Sequence, residues 1–294
     1  MDVASCARFR FRGTVRGVNY EEIRIDDDDH VRLVTLDRPK RRNAMSWQML
    51  AELADAMADA DADDDVRVVV ITGAPPAFCA GTDMTADGHS WQAPTEQEEP
   101  RRELQPHEVR KPVIAAINGH AIGVGLTYPL QCDVRFVATD AKLSFAFTRR
   151  GVAPELGSHF LLPRVVGFSH AADLLISGRT FDGSYAAAIG LASQALPADA
   201  VLPSALEYAH DIARDCSPTS CAIVKELLWA ALDLDQAEVR RIELALFGWI
   251  GTRNDAVEGV MSWSERRAPH WTGAPSERPD WWQSRLPNPE TNVP

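Results

Sequence analysis
A strand packed on both faces needs layers on either side of it, and several short apolar runs in this 294-residue chain read as strands of that kind. VRVVVITG (66–73) is almost continuously apolar, the pattern of a strand inside a parallel sheet. VRLVTLDRP (31–39) alternates enough to be a strand and stops at Pro39, which cannot donate to a ladder. PVIAAINGHAIG (112–123) gives a third strand running into a glycine-flanked turn, and GVGLTYPLQ then reads as a helix start before the strand DVRFVAT. Between the first two strands, Trp47, Leu50, Leu53, Ala54 and Met57 recur at helical spacing after Ser46. That spacing predicts an amphipathic helix, ended by Asp63 to Asp65. Strand, turn, helix and strand follow in repeated order, so the chain is α/β by pattern.

Composition narrows what such a chain can do. No apolar run reaches the roughly 18 residues a membrane span needs. Asp and Glu (42) outnumber Lys and Arg (30), for a formal charge of -12. The broad basic surface of a nucleic-acid binder is therefore missing, and an anionic ligand needs a local basic patch. The five cysteines, Cys6, Cys79, Cys132, Cys216 and Cys221, are scattered without a C-x-x-C pair. Neither a disulfide framework nor a structural metal site is expected from them. MDVASCARFRFRG at the N-terminus lacks an apolar export segment, and a cytoplasmic location is the expectation.

Residues 1–19 have no clear period, and Asp26, Asp27, Asp28 and Asp29 read as a solvated turn. Residues 85–110 are polar and proline-punctuated, the mark of a long loop of the kind that serves as a lid. From about residue 168 helical patterns take over, which puts a boundary near residue 200. The proline-rich end reads as a surface tail, with Trp281 and Trp282 marking a place where it packs.

Two glycine-bearing turns, each after an apolar strand, are candidates for chemistry: FCAGTDM (78–84) and NGHAIGVG (118–125). Glycines at strand ends free backbone N–H groups to point outward. Brought side by side, two such turns make a two-donor oxyanion hole; taken singly, each is ordinary structural punctuation.

With LDRPKRRNAMS, KPVIAAINGHAIGVG, CDVRFVATDAKLSFAF, GVAPELGSHFLLPRVVG, LLISGRTFDGSYAAAIGL and EGVMSWSERR, FCAGTDM makes seven segments in order over residues 20–267 that resemble the crotonase, or enoyl-CoA hydratase/isomerase, superfamily. The resemblance implies a spiral of ββα turns with a C-terminal helical region that builds trimers or pairs of trimers. It divides the chain into an extension (1–19), a spiral core (20–200), a helical trimerisation region (201–272) and a tail (273–294). It further implies an acyl-CoA thioester substrate, with no cofactor beyond the coenzyme A that the substrate carries, and no nucleic-acid or membrane partner.

Carried over by position, the oxyanion donors are the main-chain N–H groups of Thr82 and Val124, one such donor being worth about 100 to 1000-fold in rate. Val124 also stands at a helix start, where the dipole favours an anion. The two glutamates that hydratases of the family use fall on Thr127 and Phe147, neither of which is a carboxylate, and Pro129 lies inside the helix that follows. Glu155, in GVAPELGSH, matches the single catalytic glutamate of 3-enoyl-CoA to 2-enoyl-CoA isomerase-like members, although Leu156 stands where that pattern has a small residue. One base suffices to carry a proton between two carbons. Read without the family, Glu155 is a first-turn acid at a helix start, and His159 shares its face if the segment is helical. Asp83 is expected to anchor its own loop by accepting backbone N–H bonds, and His120 to shape its turn. Around the turns, Ala44, Ala80, Gly81, Asp83, Met84 and Gly123 are implied substrate contacts, with Thr127 and Phe147 in the pocket. Lys40, Arg41 and Arg42 are the local basic patch for the coenzyme's phosphates, joined by Trp263 and Arg267 from the C-terminal region, often of a neighbouring subunit. Hydration of a 2-enoyl-CoA with Glu155 as sole carboxylate, and a non-catalytic acyl-CoA-binding role, are the alternatives.

Overall fold
The apolar runs are strands in the computed structural model, which describes residues 12–13, 19–84 and 104–282. Arg12–Gly13 (β1), Ile23–Asp28 (β2) and Val31–Leu36 (β3) pair antiparallel. Asp29 and His30 turn the β2–β3 hairpin with φ of 41° and 69°, the positive angles that suit a two-residue hairpin. The acidic run is thus strand through Asp28 and turn only at Asp29. Nor is it simply solvated, because both Asp27 oxygens accept at 2.9 Å from Arg32, which is fully buried.

Ser46 caps Trp47–Ala62 (α1) by accepting from the Met49 N–H at 3.0 Å. The helix stands where the spacing predicts it, but its buried stripe runs through Met49, Leu53, Ala56, Met57 and Ala60. Trp47 is exposed instead, because it flanks that stripe.

After α1 come Val68–Gly73 (β4), Ala77–Cys79 (β5), Val113–Ile117 (β6), His120–Ile122 (β7), Val134–Ala138 (β8), Leu143–Ser144 (β9) and Gln194–Leu196 (β10). They alternate between two sheets. β4, β6, β8 and β10 extend the first into seven strands, in the order β1-β2-β3-β4-β6-β8-β10, while β5, β7 and β9 make a separate parallel sheet. Val124–Leu130 (α2) connects β7 to β8, and Ser158–Val166 (α3), Phe168–Ser177 (α4) and Gly183–Ala188 (α5) lie between β9 and β10. Each circuit of the chain therefore lays a strand in each sheet, which is the expected spiral.

Ala198–Asp215 (α6) packs along β3, β4, β6 and β8, burying Val201, Ala205, Leu206 and Ala209. His210 on α6 lies 3.4 Å from Asp28, on the opposite sheet face from Asp27 and Arg32, since neighbouring strand residues alternate. The boundary near residue 200 thus falls at a helix that completes the sheet's core. Pro218–Ala230 (α7), Gln236–Ile250 (α8) and Asn254–Glu265 (α9) follow, with a second cluster of Ile223, Ile242, Leu246 and Trp282. Trp282 is fully buried, so the tail is packed that far; residues 283–294 lie outside the described residues. Of the lid segment, 85–103 also lie outside them, whereas 104–110 are held fast. Leu104 and Val109 are buried, the Pro106 carbonyl accepts from Lys225 at 2.8 Å, and Arg110 meets Asp61 at 2.9 Å.

Candidate active site
Parallel pairing of β5 with β7, Ala77 opposite His120 and Cys79 opposite Ala121, sends the two glycine turns out of the same sheet side by side. A Cβ on Gly125 would lie 2.5 Å from the Cys79 carbonyl oxygen, and one on Gly81 3.0 Å from that of Ile122. Only glycine allows the backbones to touch at Gly125. Met45 fixes the first turn: its N–H donates to the Gly81 carbonyl and its own carbonyl accepts from Asp83 N–H, both at 2.8 Å. Alternation along this extended segment turns the Thr82 N–H away from Met45. Among the described residues no acceptor takes it, nor the N–H of Val124, the first residue of α2.

Glu155 is not a first-turn acid. It lies three residues before α3 in a turn where Leu156 and Gly157 have φ of 54° and 66°. Glu155 and His159 consequently do not share a helix face. The Glu155 carboxylate instead reaches Thr127 of α2, with Oγ1 2.5 Å from Oε1. The residue is open to solvent on one side, yet the protein packed round its carboxyl pushes the pKa above the ordinary carboxylate value, and the Thr127 bond works against that rise. Phe147 is buried, its ring tip 3.8 Å from where a Cβ on Gly123 would stand, so it walls the second turn with apolar surface. Pro129 falls in the last turn of α2, which ends at Leu130.

Asp83 has, among the described residues, no backbone N–H of its own loop bonded to its carboxylate. It accepts from Arg38 at 2.9 Å and Arg41 at 2.6 Å, and the two guanidinium groups hold its carboxyl below the usual range against the opposing effect of burial. Arg41 is therefore spent on the first glycine turn, while Lys40 and Arg42 form no ion pair among the described residues. Two residues of this loop carry more than their sequence signal suggests. Arg38 also meets Glu22 at 2.9 Å. Asn43, fully buried at φ 54°, donates to the carbonyls of Ala74, Ala77 and Phe78 and accepts from the Arg38 N–H. RPKRRN is the only local hint of this, since a buried Asn tolerates the left-handed region. Ala44 is buried, Ala80 and Met84 exposed, all beside the first turn. His120, the first residue of β7, accepts from the Lys142 N–H at 3.0 Å and so ties that strand to the segment before β9 rather than shaping its own turn.

Thr82, Val124, Thr127, Phe147 and Glu155 are thus linked through touching turns and one helix, with Asp83 and Arg41 alongside. Trp263 and Arg267 are not part of that group. Trp263 is exposed on α9, and Arg267 is bound to Glu258 at 2.5 Å and Glu265 at 2.6 Å.

Two sheets joined by a spiral, with paired glycine turns at one edge, define a crotonase-fold enzyme. The enoyl-CoA hydratase/isomerase family matches residues 26–274, and the chain belongs to it. It is 34% identical over 259 residues to the enoyl-CoA hydratase ACTT3 of Alternaria alternata, covering 86% of this chain and 87% of that protein. It is 31% identical over 255 residues to the (E)-benzylidenesuccinyl-CoA hydratase of Thauera aromatica, covering 86% and 99%. A crystal structure of a probable enoyl-CoA hydratase/isomerase from Mycobacterium abscessus superposes with a TM-score of 0.81 at 39% identity, over 86% of this chain and 99% of that one.

Proposed function
We propose that the protein moves the double bond of an unsaturated acyl-CoA from the 3 to the 2 position, with Glu155 as the base. The observation that carries this reading is the Glu155 carboxylate bonded to Thr127, on the same helix as the free Val124 N–H. Glu155 takes a proton from the carbon next to the thioester. The electron pair moves onto the thioester oxygen, which the N–H groups of Thr82 and Val124 hold as a dienolate. Glu155 then returns the proton two carbons along, and the carbonyl re-forms. Atoms balance with no resident cofactor, and coenzyme A enters only with the substrate. Lys40 and Arg42, on the loop beside the first turn and without ion-pair partners among the described residues, would meet its phosphates.

The names of the relatives favour a second reading, hydration of a 2-enoyl-CoA, which needs water both deprotonated and added. Thr127 and Phe147 supply no second carboxylate for that step, which supports the isomerase. Mass spectrometry in D2O, with 3-enoyl-CoA and 2-enoyl-CoA given separately to wild type and Glu155→Gln, tests both. Double-bond migration that falls about 100 to 10,000-fold in the variant is the expected result. A 3-hydroxyacyl-CoA product moves the assignment to hydratase. Binding without turnover in the wild type leaves a non-catalytic acyl-CoA-binding protein. We also propose that trimers form through α7–α9, which leave large apolar side chains exposed, so that Trp263 and Arg267 reach the coenzyme of a neighbouring subunit.

A further inference from the structure
Thr127 is fully buried and follows Val124 by three residues on α2. A helical threonine ordinarily turns its hydroxyl back to the carbonyl four residues earlier. Here Oγ1 lies 2.5 Å from Glu155 Oε1. An ionised carboxylate only accepts, so the hydroxyl is the donor. No other side chain among the described residues bonds that carboxylate, and the backbone N–H of Glu155 itself joins Thr127 in favouring its ionised form.

Resting on the assignment of Glu155 as base, we infer that Thr127 is a positioning residue: it clamps the carboxylate through Oε1 to the helix that carries Val124 and so aims it at the carbon next to the thioester. Base and oxyanion donor then share one short element whose residues are all buried. Neither can drift without the other, and their relative placement is what an enolate-forming site requires. The bond does a second thing. Packing around the carboxyl favours its protonated form, and the Thr127 donor favours the ionised one. Losing the hydroxyl therefore costs both aim and the fraction of enzyme with a working base at lower pH.

The test compares wild type, Thr127→Val, Thr127→Ser and Glu155→Gln as full chains, reading isomerisation kcat and KM across pH with melting temperatures alongside. Thr127→Val is expected to lower kcat about tenfold, the worth of one charge-assisted hydrogen bond, with KM changed less than twofold. Its acid limb moves to higher pH, and Thr127→Ser recovers most of both. If valine prevents folding at this buried position, Thr127→Ala carries the same comparison. An unmoved pH profile in the variant lacking the hydroxyl, with Glu155→Gln inactive, overturns the role of Thr127 while leaving the base in place. Turnover retained in Glu155→Gln overturns the assignment of the base itself.

Discussion
The site depends on single atoms, beginning with a missing one at Gly125. Alanine there puts a methyl 2.5 Å from the Cys79 carbonyl oxygen and 2.9 Å from its Cβ, and β5 and α2 must separate to admit it. Gly125→Ala is expected to cost roughly 1–3 kcal/mol in thermal or urea unfolding and to lower turnover more than stability explains, because Thr82 and Val124 move apart. If Glu155 is the base, the pH dependence follows from it: its carboxyl must be ionised to act, and the protein packed round it sets its pKa above that of an ordinary carboxylate. Turnover therefore falls on acidification at a higher pH than an exposed glutamate would give, and a kcat profile whose acid limb lies at or below 4.5, the ordinary value, contradicts this. At this scale motif and order mark Thr82, Val124 and Glu155 as candidates without showing their partners: the Thr127–Glu155 bond joins residues 28 apart, and Asp83 finds arginines. No local pattern specifies such pairings.

Elements read from period and caps were legible where local rules decide them: Ser46 begins α1, and β4 is nearly all apolar because it is buried at every position inside the sheet, with α6 packed along it. What escaped is set by register. Asp27 opposes Arg32 across the β2–β3 hairpin, which converts part of an apparently solvated acidic run into the counter-charge of a fully buried guanidinium, with Asp59 of α1 as a further acceptor at 2.5 Å. Arg32→Ala is expected to destabilise the fold by about 3–5 kcal/mol, since it strands charges that the pairing satisfied. Asp29→Gly, at φ 41° in the turn, should stay within about 0.5 kcal/mol of wild type. Urea denaturation of the two variants separates the strand part of the run from its turn; equal effects would mean that Arg32 is not the anchor of this hairpin.

Among the described residues, most of the large apolar side chains left uncovered by the single chain sit on α7, α8 and α9, with Phe168 and Ile176 on α4 besides. Leu228 on α7, Leu244 and Phe247 on α8, and Val257, Val260 and Trp263 on α9 are each more than 60% exposed, whereas Ile223, Ile242, Leu246 and Trp282 already fill the cluster within the chain. Isolated apolar residues on a surface need no partner, but several on adjoining helices do. The helical character of this region was legible in its spacing; which side of each helix stays open depends on Trp282 returning to the cluster from the chain's end, a contact that no periodicity records. A trimer or a multiple of one is the expected mass in light scattering. Phe247→Asp combined with Val260→Asp should yield a monomer, because charges at both sites resist burial. The same variant separates assembly from catalysis. If Trp263 and Arg267 serve a neighbour's coenzyme, the monomer should show a raised KM for the acyl-CoA while Glu155 and both glycine turns stay intact within each chain. A monomeric wild type, or a monomeric variant with unchanged KM, would place coenzyme recognition wholly within one chain, on the loop that carries Lys40 and Arg42.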